Sequence, residues 1–242
     1  LERALEKKPA AFIYEPLLQA AGGMRIHTPS GLGEMIRRCR ECGVLCIADE
    51  VATGFGRTGR WFASDYVEHG PDIVCVAKGL TGGFLPLAAT ACREEIFAAF
   101  LSDDRAAAFM HGHSYTANPL GCAAALASLD LLEKRECWDR IVEIASLQAD
   151  FVKSLSGHPL AGNPRSLGTV AALDVGPKGA EASYFSPIRD TLYRDFLGRG
   201  VLLRPLGNTV YIMPPYCITA AELKIAYEAV LAALEACRSL NG

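Results

Sequence analysis

Short apolar runs alternate with segments of helical periodicity through the first part of this 242-residue chain. The runs occupy residues 10–14, 44–48, 71–77 and 87–92. Residues 32–42 instead carry apolar side chains at helical spacing and stop at Gly43, a residue that often follows the end of a helix. Because strands buried on both faces have short, continuously apolar sequences, we expect parallel strands between helices. The predicted fold class is α/β, with a mostly parallel sheet flanked by helices.

The pattern changes near residue 155. Residues 94–101 and 118–134 have helical spacing, whereas 157–164 are rich in turn-forming residues and indicate a loop. Beyond the loop, the pattern predicts strands at 169–175, 201–204 and 209–213 and helices at 186–198 and 220–237. We therefore predict two domains, a larger one over residues 1–155 and a small α+β domain over residues 156–242.

The composition suits a globular protein with a sizeable core. Half of the residues are hydrophobic, 21% are charged, and the formal net charge is −3. This mild charge gives no basis for binding to nucleic acid or to a membrane surface, and no apolar run is long enough to span a membrane. Residues 1–8 read as a charged helix fragment and not as a signal peptide. Since the chain starts without methionine, we expect an N-terminal portion to be missing.

Nine cysteines are many for this length, and most lie in apolar surroundings. A cysteine in an apolar run usually packs as a small hydrophobic residue. The odd number and irregular spacing favour a reducing cytoplasm over a secreted disulfide scaffold. Cys39 and Cys42 have the spacing of a metal or redox pair, but no second pair is nearby, so we predict no metal site.

Two charged residues follow predicted strands. Asp49 follows the run at 44–48 and precedes a glycine-rich turn. Lys78 follows the run at 71–77 and precedes a loop of small residues. Ligands of open α/β sheets bind at the carboxyl ends of the strands, so both positions favour a site. The neutral amine of a lysine at such a position could attack an aldehyde.

Each position also has an ordinary explanation. The pair Asp49-Glu50 could cap a helix or bind Mg²⁺ in a nucleoside triphosphatase, although the chain lacks the Gly-x-x-x-x-Gly-Lys-Ser/Thr motif of such proteins. Lys78 could be a solvated lysine at a strand end. The two positions together are a more specific signal than either one alone.

A third candidate segment lies before a predicted helix. Gly112, His113 and Ser114 precede Asn118-Pro119, where proline is a favourable first helical residue. The hydroxyl and the backbone amides at this point suit an anion. Two histidines in the segment could suggest a metal, although a packed loop is the more ordinary explanation.

A fourth segment contains an arginine that could bind a carboxylate. Arg204 precedes Pro205 at the end of a predicted strand, and Tyr211 lies on the next one. A guanidinium offers two parallel hydrogen bonds to a carboxylate. The alternative is a structural arginine that forms surface ion pairs.

The pairing of Asp49 with Lys78 resembles the signature of the class III aminotransferases, which are pyridoxal 5'-phosphate (PLP) enzymes of fold type I. The resemblance covers nearly the whole chain. It implies that Lys78 is the catalytic lysine that forms a Schiff base with PLP. It also implies that Asp49 binds the pyridine nitrogen and that Val51 packs on the ring. Residues 1–155 would then be the C-terminal portion of the large PLP-binding domain.

The same resemblance implies a homodimer with shared active sites. In the family, the segment that matches Gly112, His113 and Ser114 comes from the neighbouring subunit, and the position of Ser114 holds the PLP phosphate. Here His113 occupies a position where relatives often have proline or serine. The glycine-serine turn and the ring-stacking aromatic residue that the first half of the family's members supplies cannot be located in this chain.

The segment from Arg204 to Tyr216 is similar to one branch of that family, which makes 7,8-diaminopelargonate for biotin synthesis. There the arginine binds the carboxylate of 7-keto-8-aminopelargonate, and a tyrosine matching Tyr211 lies beside it. The amino donor that the resemblance implies is S-adenosylmethionine. Ala52 separates the chain from many relatives that carry glutamine there, including ornithine and 4-aminobutyrate transaminases. Two alternatives to this function stay open. The chain could belong to another class III transaminase, or it could be an inactive fragment that only binds a partner chain.

Overall fold

The computed structural model describes residues 1–177 and 182–239. Its strands are β1 (Ala11–Tyr14), β2 (Leu18–Gln19), β3 (Arg25–Ile26), β4 (Leu45–Asp49), β5 (Ile73–Val76), β6 (Ala89–Cys92), β7 (Ala161–Leu167), β8 (Val170–Val175) and β9 (Thr209–Ile212). Its α-helices are α1 (Glu2–Leu5), α2 (Pro29–Glu41), α3 (Glu94–Ala98), α4 (Pro119–Leu132), α5 (Arg135–Ser154), α6 (Ile188–Gly198) and α7 (Ala220–Ser239). Short 3₁₀ turns cover Ala63–Tyr66, Lys78–Thr81 and Arg105–Ala107.

The chain divides into two compact units. The first unit comprises Leu1–Leu17, His27–Phe55 and Arg60–Lys134. The second unit comprises Leu18–Ile26, Gly56–Gly59 and the described residues from Arg135 onward. The long C-terminal segment of the second unit begins at Arg135, one helix before the loop at which the sequence suggests a boundary. The domain boundary near residue 155 stays a prediction.

The first unit contains a four-stranded sheet in the order β1-β4-β5-β6. β1 and β4 are parallel, β4 and β5 are parallel, and β5 and β6 are antiparallel. Helix α2 packs against β4, and its buried residues are Leu32, Ile36 and Cys39. The expected α/β class with a mostly parallel sheet flanked by helices is confirmed.

One strand of this sheet differs from the expectation. Residues 87–92 were expected to form a buried parallel strand, but β6 is an antiparallel edge strand whose four residues are all exposed. A parallel return needs a crossover, usually a full α-helix. Residues 77–88 form only the one-turn 3₁₀ helix Lys78–Thr81 before the chain reverses. The prediction for this strand is therefore wrong in direction and in burial.

Local capping signals explain where the long helices of this unit begin. Thr28 precedes α2 and its hydroxyl accepts a hydrogen bond from Gly31 N–H at 3.1 Å, while Pro29 fills the first helical position. Asn118 precedes α4 and its side chain accepts from Gly121 N–H at 2.7 Å. Such caps satisfy amides that have no partner inside the helix.

The second unit is an antiparallel sheet in the order β7-β8-β9, and α5 and α7 pack in the same unit. Its core is apolar and includes Leu173, Phe196 and Leu223. The buried Gln148 of α5 donates hydrogen bonds to Thr169 O at 3.0 Å and to Ile212 O at 3.2 Å. Because both acceptors belong to the sheet region, this amide ties the helix to the sheet. The β2–β3 hairpin belongs to this unit as well.

Two predictions for the second unit are wrong. The loop expected over 157–164 overlaps β7, which covers Ala161–Leu167. Pro164 is tolerated there because β7 is an edge strand and its register shifts between Gly162 and Arg165. The strand expected over 201–204 is absent from the described sheet, since the pairing begins only with an isolated bridge between Leu206 and Thr209.

No helix within the described ranges is both long enough and apolar enough to cross a membrane.

Candidate active site

The two adjacent acids at the end of β4 have different surroundings. Glu50 is fully buried, and its carboxylate accepts four hydrogen bonds, from Thr53 Oγ1, Ala63 N–H, Ser64 N–H and Ser64 Oγ. Asp49 is partly buried. Among the described residues, its carboxylate accepts one hydrogen bond, from Val51 N–H at 3.0 Å. Glu50 therefore holds the following loop, and the Asp49 carboxylate keeps most of its hydrogen-bonding capacity for a ligand.

Asp49 lies on an apolar face of the sheet. Successive strand residues point to opposite faces, so Asp49 shares a face with Ile47, and Ile47 pairs in register with Ile13 of β1. Ile13 is 64% exposed and Leu45 is 40% exposed. The first unit thus leaves this face largely uncovered, with one carboxylate at the carboxyl end of an apolar surface.

Lys78 lies just beyond the neighbouring strand. Asp49 pairs in register with Cys75 of β5, so the two strands end at the same edge of the sheet, and Lys78 follows three residues after Cys75. The side chain of Lys78 is exposed. It forms no hydrogen bond or ion pair with any residue in the described ranges. An uncommitted amine and a largely uncommitted carboxylate therefore follow adjacent strands.

The backbone at Lys78 is strained. Its φ is 44°, in the left-handed region that residues with a side chain rarely adopt. The 3₁₀ turn that it begins ends at Gly82, whose φ is 61°. Gly83 N–H donates to Lys78 O at 3.1 Å. Strained residues of this kind cluster at functional sites and persist only where the surrounding structure fixes them.

The loop before α4 is exposed and partly ordered by its own hydrogen bonds. His113 Nδ1 accepts from Tyr115 N–H at 3.1 Å, and His113 N–H donates to Thr116 Oγ1 at 3.0 Å. The Ser114 side chain is exposed, and no hydrogen bond to it occurs within the described part of the chain. His113 thus shapes the turn, and Ser114 presents its hydroxyl. At Gly112, a Cβ atom would meet only Thr116 Oγ1 at 3.8 Å, so steric crowding in this chain does not require glycine.

No cluster of three or more His, Cys, Asp or Glu side chains with metal-binding geometry occurs in the described ranges. All nine cysteines are free thiols. Cys39 is buried and Cys42 is exposed, so the two residues of the pair noted in the sequence occupy different environments.

Arg204 and Tyr211 belong to the second unit. Arg204 is exposed and, like Lys78, forms no hydrogen bond or ion pair with the residues that the structure describes. The following Pro205 is buried. Tyr211 lies on β9 and is partly buried against the cluster of Leu18, Met24, Val170 and Ala172. An exposed guanidinium without a protein partner is suited to an anionic ligand.

The turn after Arg204 is fixed by tight packing against Ser183. The Asn208 side-chain oxygen accepts from Ser183 N–H at 2.7 Å. Gly207 has a φ of 62°, and a Cβ atom there would lie 1.7 Å from Ser183 O. Only glycine fits this position, so the segment that carries Arg204 is anchored through its turn and not through strand pairing.

Sequence reasoning missed two features of this site. One is the opposite roles of the acid pair, with Glu50 as the structural member. The other is the strain at Lys78, where the sequence shows no glycine that would indicate a left-handed residue. Within the first unit, Asp49 and Val51 lie at the end of β4 and Lys78 follows the adjacent β5.

The comparison with known families identifies the class of protein to which this fold belongs. The model of the family described as aminotransferase class-III matches residues 1–234, and the chain belongs to this family.

The particular relatives narrow the similarity further. The chain is 49% identical over 222 residues to the adenosylmethionine-8-amino-7-oxononanoate aminotransferase of Synechococcus elongatus, covering 91% of this chain and 51% of that protein. It superimposes with a TM-score of 0.85 on the structure of the enzyme of that name from Methanocaldococcus jannaschii, at 34% identity, covering 92% of this chain and 53% of that one. The (S)-enantioselective omega-transaminase from Thermomicrobium roseum gives a TM-score of 0.88 at 33% identity, covering 97% and 53%. The chain thus spans about half the length of the relatives it matches.

Proposed function

We propose that the protein containing this chain is a PLP-dependent aminotransferase that converts 7-keto-8-aminopelargonate to 7,8-diaminopelargonate in biotin synthesis. S-adenosylmethionine is the proposed amino donor. The observation that carries the proposal is the largely uncommitted Asp49 carboxylate beside the strand that leads to the uncommitted, strained Lys78. The substrate is inferred from the similarity to relatives that carry this enzyme's name.

The residues present fit PLP as a cofactor. PLP has a basic pyridine nitrogen, an aldehyde and a phosphate, and these groups require an acid, an amine and anion-binding donors respectively. Asp49, Lys78 and Ser114 supply one of each, and none of the three side chains is consumed by other protein contacts among the described residues beyond the Val51 amide on Asp49. When bound, PLP supplies an electron sink for the carbon that gains or loses the amino group.

Each residue then has a defined task. The Asp49 carboxylate holds a proton at the pyridine nitrogen, because a charge-assisted hydrogen bond favours the protonated form. The Lys78 amine would hold the cofactor through its aldehyde group and would supply the base that carries a proton between substrate atoms. Val51 packs on the ring. Ser114, together with the turn at His113, binds the phosphate, and Gly112 borders the substrate.

Arg204 is proposed to bind the carboxylate of the keto acid, with Tyr211 beside it. The support is that Arg204 is exposed and has no partner in the described structure, while its turn is anchored at Gly207 and Asn208. A fixed backbone with a free guanidinium can bind a carboxylate through two parallel hydrogen bonds without first breaking an ion pair.

The protein is also proposed to be a homodimer in which the loop around Ser114 serves the partner's site. The support is the exposed apolar surface of that loop. Phe109 is 67% exposed and Met110 is 88% exposed. Phe100, Phe109 and His111 form a chain of aromatic contacts with centroid distances of 5.2 Å and 5.6 Å. A contiguous apolar surface of this kind is typical of a protein interface. The free thiols are consistent with the cytoplasmic location that we propose.

An assay of the two half-reactions tests the proposed activity. The natural full-length protein is loaded with PLP and mixed with S-adenosylmethionine, and the aminated cofactor is then mixed with 7-keto-8-aminopelargonate. Arg204→Ala and Arg204→Lys should weaken keto-acid binding by about 10- to 100-fold, because a charged hydrogen bond contributes roughly 1.5–3 kcal/mol. Loading by the donor should change little. Equal damage to both halves would mean that Arg204 is structural or serves the donor as well.

The second candidate function is transamination of another ω-amino compound, such as ornithine or 4-aminobutyrate. The similarity to the omega-transaminase structure favours this function. Its TM-score of 0.88 is slightly higher than the 0.85 of the structure from the biotin branch. A panel of amino donors and keto acceptors distinguishes the two functions. Turnover with ornithine or 4-aminobutyrate, and none with 7-keto-8-aminopelargonate, would replace the first proposal with the second.

A further inference from the structure

The turn that begins at Lys78 is held from one side by helix α4. Ser128 Oγ donates a hydrogen bond to Gly79 O at 3.2 Å. A Cβ atom at Gly82 would lie 3.4 Å from Ser128 Oγ, so the same hydroxyl also approaches the end of the turn. Ser128 is partly buried. One side chain thus binds the turn directly after Lys78 and lies near the residue that follows its end.

The turn is also packed closely against an aromatic residue. A Cβ atom at Gly79 would lie 2.9 Å from Phe55 Cβ and 2.9 Å from Phe55 Cδ2. Phe55 is buried and has itself a φ of 60°. Gly79 therefore has Phe55 close to its Cα and Ser128 on its carbonyl oxygen, and both contacts restrict movement of the turn.

This confinement explains how Lys78 keeps an unfavourable backbone conformation. A residue with a side chain stays at a φ of 44° only where its neighbours exclude the alternatives. Gly83 N–H closes the turn onto Lys78 O, but this bond lies within the turn and moves with it. The bond from Ser128 anchors the turn to a separate element, α4.

We propose that Ser128 is a positioning residue for Lys78. Its hydroxyl holds the Gly79 carbonyl, which fixes the peptide after Lys78 and thereby the direction in which the lysine side chain leaves the backbone. Ser128 itself touches neither substrate nor cofactor in this role. The proposal rests on the proposed function of Lys78 as the lysine that bonds to PLP.

The experiment compares matched variants of the natural full-length protein. Ser128→Ala and Ser128→Val remove the hydroxyl, whereas Ser128→Thr keeps it at nearly the volume of valine. Ser154→Ala is the control, because Ser154 Oγ donates to Phe151 O at 2.7 Å at the end of a helix in the other unit. The first measurement is amide hydrogen exchange of Gly82 and Gly83. The second is the pH midpoint of the visible absorbance band of lysine-bound PLP.

Loss of the hydroxyl should accelerate exchange of the two amides by about two- to tenfold, which corresponds to one neutral hydrogen bond. The pH midpoint should shift in the same two variants, because it depends on how the Lys78 nitrogen is oriented against the ring. Ser128→Thr and Ser154→Ala should behave like the unmodified protein. Unchanged exchange and an unchanged midpoint in Ser128→Ala and Ser128→Val would overturn the proposal, and so would an equal shift in Ser128→Thr.

A further variant separates this proposal from the proposed function. If Lys78→Ala still retains PLP after borohydride reduction, the covalent role of Lys78 is wrong, whatever Ser128 does. If Lys78→Ala loses the trapped cofactor while the Ser128 variants show normal exchange and a normal midpoint, the function stands and the positioning role is wrong.

Discussion

At the scale of single residues, the acid pair at the end of β4 separates function from stability. Strand alternation turns Asp49 to the open apolar face and Glu50 into the interior. Glu50 accepts four hydrogen bonds there, whereas Asp49 accepts one from within the described chain. Because neighbouring carboxylates differ this much in their partners, their amide variants should have opposite phenotypes.

We expect Glu50→Gln to destabilise the fold by about 2–4 kcal/mol, since an amide nitrogen cannot accept from the donors that face it and leaves some of them unpaired. Asp49→Asn should change the free energy of unfolding by less than about 1 kcal/mol. It should nevertheless reduce turnover much more than PLP retention, because the pyridine nitrogen loses its charged partner. Denaturant unfolding of the apoprotein and steady-state turnover measure the two effects. A large loss of stability in Asp49→Asn would contradict this division of roles.

The sequence locates the two candidate active-site residues, Asp49 and Lys78, but not the contacts that surround them. Asp49 and Lys78 could be found because each follows an apolar run, and the end of such a run can be recognised in the sequence itself. The contacts of Glu50 with Ala63 and Ser64 depend on how the glycine-rich loop returns to the strand, which no local pattern encodes. The φ of 44° at Lys78 is likewise imposed by its neighbours.

At the scale of elements, the turn Leu206–Thr209 anchors the segment that carries Arg204. Gly207→Ala should combine two costs, about 1–2 kcal/mol for a left-handed alanine and about 1–3 kcal/mol for the steric conflict with Ser183. Gly200→Ala is the matched control, since Gly200 has a φ of 74° but nothing within 4 Å of an added Cβ. It should show only the first cost. The KM for the keto acid should rise in Gly207→Ala alone.

Thermal or denaturant unfolding measures the stability difference, and the keto-acid half-reaction measures the KM. Similar values for the two alanine variants would mean that the loop at Ser183 moves aside freely. The turn would then not determine the position of Arg204.

The β2–β3 hairpin is closed at its base by two hydrogen bonds, one of which depends on pH. His27 Nε2 accepts from Leu17 N–H at 3.0 Å, and His27 N–H donates to Leu17 O at 3.0 Å. Burial lowers the pKa of His27 below 6.5, and the nearby Glu15 opposes this shift. A lowered pKa means that the unfolded chain binds the proton more readily than the folded chain. The contribution is therefore full above the ordinary histidine pKa and is lost as the pH falls through it toward the lower folded value.

We accordingly expect exchange protection of the Leu17 amide to decrease as the pH falls from about 8 to about 5, after correction for intrinsic exchange rates. His27→Gln cannot titrate in this range and should abolish the pH dependence of that protection. Persistent pH dependence in His27→Gln would assign the effect to another group.

Element boundaries could be predicted where the sequence carries its own signal. Asn118 caps α4, which begins where this residue predicts, whereas α2 begins at Pro29, three residues before the expected start at residue 32. The failures occur where tertiary structure decides the outcome. The direction of β6 follows from a short connection, and β7 tolerates Pro164 because it is an edge strand with a register shift. In both cases the place of the strand in its sheet decides the outcome, and the local sequence pattern does not encode that place.

At the scale of the whole molecule, the first unit exposes large apolar side chains in two places. The Asp49 face of the sheet is open at Ile13 and Leu45, and the loop around Met110 is highly exposed. The chain also spans about half the length of its relatives. The exposed loop is the observation that the proposed homodimer explains, and the following experiment tests that proposal.

A mixed dimer tests whether the proposed active sites are shared between subunits. One subunit carries Lys78→Ala, and the other carries His113→Ala together with Ser114→Ala. If Ser114 serves the partner's site, the site containing the intact Lys78 also receives the intact loop, while the other site has both defects. About half of the activity of the unmodified dimer should then survive, as expected for one of two equivalent sites in a symmetric dimer. If each subunit builds its own site, every site carries a defect, and activity should fall to the level of the parent mutants. The two homodimeric mutants are the controls, and separately tagged subunits allow the mixed species to be purified before its turnover is measured. The exposed, uncommitted Ser114 hydroxyl in a loop with highly exposed apolar residues is the structural reason to expect the first result.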